Sequence, residues 1–174
     1  MKVITFFVMK TIVHDDISGL LETIVTSSPN THIIGPPEHR FAYCIGCFSC
    51  WIKTPGKCIL PDAFSNMGER LGHSDELILI STMTYGGQSP FVKGILDRSI
   101  PYVLPFFKKR KGMMHHRDRY PNRLIFKVYF YGESMLQEEK NIAKKLVEAQ
   151  ALNLNAKHFE VKFFEHLSEL KAVL

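Results

Sequence analysis

Residues 76–82 read "ELILIST", an apolar run of strand length in which polar positions do not alternate with apolar ones. A strand buried on one face shows that alternation; a strand covered on both faces does not, and such strands belong to parallel sheets with helices above and below. Parallel neighbours in turn require long crossover connections, usually helical. The rest of the chain conforms to this demand. Val3 to Val8, "THIIG" at 31–35, "RLIFKVYFY" at 123–131 and "HFEVKFFE" at 158–165 are further strand-like runs. Between them Ile17, Leu20, Leu21, Ile24 and Val25 recur at helical spacing, with Asp15 or Asp16 as N-cap. Pro61-Asp62 opens a helix carrying Phe64, Met67 and Leu71 that Gly72 ends, and Ser89-Pro90 starts one with Phe91, Ile95 and Leu96 inward. Ser134 with Gln137 makes a capping box for a helix reaching Leu154, while residues 105–122 read as a long loop. The expectation is an α/β fold with a doubly wound, five-stranded parallel sheet.

With 174 residues, 45% of them hydrophobic and 22% charged, the chain reads as one globular domain over 1–174. No apolar run approaches the roughly 18 residues of a membrane span, so no membrane partner is expected. The opening "MKVITFFVMKTIVHDD" is broken by Lys10 and offers no small-residue cleavage site before Asp15 and Asp16, which favours a buried strand and a cytoplasmic location. The net charge of +5 concentrates in "KKRKGMMHHRDR" at 108–119. Two readings stand for it: a solvated loop, or a patch attracting phosphorylated cofactors. Without aromatic interleaving or a binding-helix pattern, no nucleic-acid partner is expected. His115 and His116 are adjacent, point apart in extended chain, and read as part of a mobile basic loop rather than a metal pair. "IPYVLPFF" at 100–107 is either core or a subunit contact.

All four cysteines fall within "CIGCFSCWIKTPGKC", as Cys44, Cys47, Cys50 and Cys58. In a reducing compartment such clustering favours metal or redox chemistry over disulfides. Three readings remain: four thiolates around a [4Fe–4S] cluster, a tetrahedral zinc, or reduced thiols packed about a tight turn with Phe48 and Trp51.

In open parallel sheets ligands bind beyond the carboxyl ends of the strands, where strand order reverses. The loops at 9–16, 82–89 and 131–135 therefore matter. In "STMTYGGQSP" at 81–90, Gly86 and Gly87 allow positive φ and close approach of a flat ring, with Tyr85 to pack on it. The alternative is a strand-to-helix turn that needs glycines for itself. "YFYGES" at 129–134 offers the same pair of readings.

"CIGCFSCWIKTPGKC", "STMTYGGQSPFVKGILDRSIPYVLPFF" and "LVEAQALNLNAK", in this order, resemble the flavodoxin-like NAD(P)H-dependent FMN reductases, in the branch related to iron–sulfur flavoproteins. The resemblance implies a flavodoxin-like fold of strand order 2-1-3-4-5 with helices on both faces, FMN as cofactor, NAD(P)H as transient donor and a small-molecule electron acceptor. It implies a homodimer or homotetramer, and a [4Fe–4S] cluster on Cys44, Cys47, Cys50 and Cys58. Thr82, Met83, Thr84, Tyr85, Gly86, Gly87 and Gln88 fall where the family contacts the flavin ring, and Tyr131, Gly132 and Glu133 in a further flavin loop. No catalytic side chain is implied, because orientation and electrostatics suffice. Two alternatives to an FMN-dependent oxidoreductase stand: a flavodoxin-type electron-transfer protein, with or without a [4Fe–4S] cluster, and a cofactor-less member acting as a binding module. At the first loop the pattern differs: "MKTIVHDDISG" stands where the family carries a Gly/Ser/Thr-rich phosphate loop. Asp15 and Asp16 there would satisfy a helix N-terminus and repel a dianion.

Overall fold

The structure, a computed structural model, describes residues 8–25, 28–37 and 41–174. In chain order its elements are β1 (Lys10–His14), α1 (Leu20–Ile24), β2 (Thr31–Ile34), α2 (Ser49–Ile52), α3 (Met67–Gly72), β3 (Glu76–Thr82), α4 (Pro90–Arg98), β4 (Val103–Arg110), β5 (Met113–Asp118), β6 (Ile125–Tyr131), α5 (Gln137–Asn153) and β7 (His158–Phe164). A 3-10 segment at Leu167–Ala172 follows. Five strands pair in parallel in the order β2-β1-β3-β6-β7, with β4 and β5 forming a separate antiparallel hairpin. Counted along the sheet alone, this is the expected flavodoxin-like 2-1-3-4-5 order.

The unalternated sequence of β3 is explained by two cores. Leu77 and Leu79 enter one with Met67 and Leu71 of α3, Val92 and Ile95 of α4, and Ala143 and Val147 of α5. Ile78 and Ile80 enter the other with Ile12, Tyr129, Leu21 of α1 and Leu170 of the 3-10 segment. Glu76, only 4% exposed at the start of β3, is flanked by Lys10 of β1, 3.5 Å away, and by Lys127 of β6. A buried carboxylate is tolerated because both neighbouring strands bring it a cation.

Several expectations are corrected. Residues 3–7 of the expected first strand lie outside the described residues, and Val8 is exposed and precedes the strand. The strand beside β3 is Lys10–His14, in the stretch read as a loop. Lys10 does not interrupt it, because it sits at the first position beside Glu76, and Thr11, Ile12 and Val13 are β-branched and buried. The expected loop at 105–122 is largely the β4–β5 hairpin, turned by Lys111 and Gly112 at φ 48° and 82°, the pair of left-handed residues that a two-residue hairpin loop requires. Its charges are partly paired, Lys108 and Arg110 both meeting Asp118. His115 and His116 are therefore strand residues: the first is buried with Nδ1 3.0 Å from Asn153 Oδ1, the second has Nδ1 2.7 Å from the Leu104 carbonyl. "IPYVLPFF" divides, with Pro101, Tyr102 and Val103 buried and Phe106 and Phe107 exposed.

Helix starts shift as well. α3 begins at Met67, not Pro61, because Asp62 is engaged by the Phe64 amide at 3.0 Å and by Arg98. α5 begins at Gln137, where the Leu136 amide donates to the Glu139 carboxylate at 3.2 Å, and Ser134 lies outside it at φ 59°. α1 has five residues, and Ile17 is left in solvent at 90% exposure.

α3 touches the turn at 100–102 backbone to backbone. A Cβ on Gly68 would lie 2.7 Å from the Pro101 carbonyl carbon and 2.8 Å from the Tyr102 nitrogen. Gly68→Ala is expected to cost about 1–3 kcal/mol by forcing these segments apart, read as a lower urea midpoint at unchanged slope.

Candidate functional site

β1 delivers three polar residues in succession to the carboxyl end of the sheet, and each is committed differently. The Asp15 carboxylate accepts from the Thr82 amide at 2.9 Å, the Thr82 hydroxyl at 2.7 Å and the Tyr131 hydroxyl at 2.7 Å. Thr82 and Tyr131 are register partners, so one carboxylate joins the ends of β1, β3 and β6. Burial pushes the Tyr131 phenol up, and accepting its proton at Asp15 pushes it further, so it stays a donor across the ordinary pH range. Asp16 accepts from the Leu21 amide at 2.8 Å and from the amide and hydroxyl of Ser18 at 2.8 and 2.6 Å. Burial alone would raise its pKa, but these donors outweigh it and hold the carboxyl below its usual range. Neither residue of the acidic pair is the N-cap of α1, a place taken by Gly19 at φ 77°; Asp16 reaches past it to accept from the Leu21 amide inside the first turn.

His14, 2% exposed, has neither ring nitrogen paired among the described residues. It packs on Gly35, where a Cβ would come within 2.6 Å of the ring. Burial lowers its pKa, against the opposing pull of Asp16, Asp15 and Glu22.

The loop at 82–88 is fastened at nearly every residue. The Met83 amide donates to the Tyr131 carbonyl at 3.0 Å. Thr84 and Gly87 exchange backbone bonds of 3.0 and 2.8 Å around Tyr85 and Gly86, whose φ values are 49° and 78°. A Cβ on Gly86 would meet Ile142 Cγ2 at 2.8 Å, so the space this glycine leaves is taken by α5. Gln88 is buried in a reciprocal amide pair with Gln150 of α5, at 2.8 and 3.1 Å. The Ser89 amide donates to the Ser81 hydroxyl at 2.8 Å and starts α4. What remains presented is Tyr85, 90% exposed on a fixed turn, with Thr84 half-buried beside it. In the next loop Gly132 has φ 149° and open space where a Cβ would be, and Glu133 is exposed. Of the expected ring contacts, Thr82 and Tyr131 are thus brought together, on Asp15, while Gln88 and Gly86 serve the anchoring to α5.

The cysteine segment lies at the other end of α4. All four thiols are free, and Cys44, Cys47, Cys50 and Cys58 line one open cavity of about 320 Å³ together with Phe48 and Arg98 of α4. Positive φ at Gly46 and Phe48, 66° and 55°, turns the chain around it. Trp51 pins the segment by donating to the Val103 carbonyl at 2.9 Å. Cys50 is pushed up by burial and by the neighbouring thiols of Cys58, Cys44 and Cys47, whereas the Ser49 hydroxyl and amide pull Cys47 down. Among the described residues no three such groups are gathered closely enough for a single metal ion. A tetrahedral zinc with bonds of about 2.3 Å would need that. Sequence reasoning missed Arg98. It is 1% exposed and grips Asp62 through two parallel bonds of 2.8 and 2.7 Å while donating to the Ala42 carbonyl at 2.6 Å. The signal was its place three residues after Ile95 on the inward stripe of α4.

No family model matches the chain. Over 91 residues, 52% of this chain, it is 31% identical to an iron-sulfur flavoprotein of Methanocaldococcus jannaschii; the match covers 46% of that protein, so the chain spans about half the length of this curated relative. An FMN-dependent NADH-azoreductase of Bacillus anthracis, solved with FMN, superposes with a TM-score of 0.52 at 12% identity, covering 95% of this chain and 93% of the other. An NAD(P)H:quinone oxidoreductase of Methanothermobacter marburgensis gives 0.54 at 14% identity, covering 90% and 86%. At these identities the solved structures bear on the fold.

The lowered pKa of His14 fixes a direction. The unfolded chain takes up the proton first on acidification, so the stability His14 contributes is fully present above its unfolded value of about 6.5 and is lost as pH falls below it. Urea midpoints are expected to drop between about pH 7.5 and 5.5, and His14→Gln to flatten that slope.

Proposed function

We propose that this chain is an FMN-dependent oxidoreductase that takes electrons from NAD(P)H and passes them to a small acceptor, with a [4Fe–4S] cluster on Cys44, Cys47, Cys50 and Cys58 as a second redox centre. When bound, FMN supplies two-electron acceptance of a hydride and one- or two-electron release. The observation that carries the reading is the pair of sites at the two ends of α4. Its first turn follows the fixed Tyr85 loop, and its last residues, Leu96 to Arg98, line the same cavity as the four cysteines. Nine helical residues span about 13 Å, a short separation for electrons.

In this reading Tyr85 and Thr84 support the ring from the loop after β3, and Gly132 leaves it room at the end of β6. The bonds to Asp15, Tyr131 and α5 hold that platform before anything binds. At the cysteines, Arg98 places a permanent cation beside Cys58, and Ser49 favours the thiolate of Cys47; both suit an anionic cluster. The similarity to an iron-sulfur flavoprotein agrees with both centres.

The reading includes self-association, as a homodimer or homotetramer. Phe48, Trp51, His116 and Phe107 pack in sequence with ring centroids 5.4, 4.8 and 4.7 Å apart, the first pair stacked and the others tilted, joining the cysteine segment to the β4–β5 hairpin. Phe48 and Phe107 are exposed, with Ile45, Phe106 and Met114 also uncovered, an apolar surface of the kind a second copy covers.

Protein purified without oxygen, supplied with iron, sulfide and flavin, is expected to show flavin bands that NAD(P)H bleaches and a broad brown absorbance that Cys50→Ser and Cys58→Ser remove. A colourless protein that takes up neither flavin nor iron would overturn the proposal.

A further inference from the structure

We propose that the flavin site of this chain recognises the isoalloxazine ring and not the phosphate, because Asp15 and Asp16 already hold the strand-end donors that an anion would take; riboflavin, which lacks the phosphate, then binds at least as tightly as FMN. This rests on the flavin reading above and deepens it.

An anion at the carboxyl end of a parallel sheet is normally held by free backbone amides and hydroxyls there. Here those groups have an internal anion. The Thr82 amide, the Thr82 hydroxyl and the Tyr131 hydroxyl converge on Asp15, all within 2.9 Å. At the start of α1 the Leu21 amide and both Ser18 donors converge on Asp16, which is 8% exposed and held in its charged form. A phosphate monoester, close to a dianion at neutral pH, would meet two carboxylates where it needs donors.

The basic side chains of β1 do not compensate. Lys10 is at the opposite end of the strand with Glu76, and burial keeps His14 neutral. Ring recognition is untouched by any of this, because Tyr85, Thr84 and Gly132 make no contact with either carboxylate in the bonding above. The phosphate of a bound FMN therefore stays with solvent, and its charge opposes binding instead of favouring it.

The test compares riboflavin and FMN titrated into the full chain freed of flavin, followed by quenching of flavin fluorescence at low and high salt. Riboflavin is expected to bind at least as tightly as FMN, and any gap to narrow at high salt, which screens charge and leaves packing alone. Asp15→Asn, which keeps the shape and removes the charge, should raise FMN affinity relative to riboflavin on the order of tenfold. Glu148→Gln, an exposed charge on α5, should leave the ratio unchanged. FMN bound about tenfold or more tightly than riboflavin by the unaltered protein overturns this inference and leaves the flavin reading standing. Binding of neither overturns both. Should Asp15→Asn not fold, the unaltered protein and its salt series still decide.

Discussion

The carboxylate of Asp15 sits where three parallel strands deliver their last residues, and its hydrogen bonds determine what that end of the sheet can do. Parallel sheets leave unpaired donors at this outlet, which is why ligands collect there. In this chain donors from β3 and β6 close on Asp15, the residue that follows β1. A charge withdrawn from water needs such bonds, and the strands gain a cross-tie beyond their ladder. The outlet is thereby divided into a sealed polar part beside β1 and an open part carrying Tyr85 and Gly132. The fold is shared with the solved structures it superposes on; the chemistry of its outlet is this chain's own.

The sheet was legible because its central strand had to be buried on both sides. "ELILIST" permits little else, and the runs at 125–131 and 158–164 agree with it. The edges were less so. Lys10 hid β1, since a lysine in an apolar run looks like a boundary until its partner, Glu76 on another strand, is known. The hairpin was hidden by its charge: "FFKKRKGMM" reads as solvated chain, although Lys111-Gly112 is a turn signal flanked by residues that do pair. The C-terminal 3-10 segment, which supplies Leu170 to the second core, has no periodicity to announce it.

At the site, residue types were legible and their commitments were not. That glycines would mark the loop after β3 follows from the sequence; that Gly86 gives its space to Ile142 depends on where α5 lands. The four cysteines advertise themselves by spacing, yet the buried arginine beside them is visible only once α4 is packed. The acidic pair is plain in the sequence; that each carboxylate has its own set of donors is visible only once β1, β3 and β6 are paired and α1 is formed.

The turn bearing Tyr85 rests on α5 so closely that no side chain fits between, and the amides of Gln88 and Gln150 lock the two together. Such a platform has surrendered its conformational freedom during folding, before any visitor arrives. In the function proposed above, capture of a flat molecule then carries little ordering penalty from the loop.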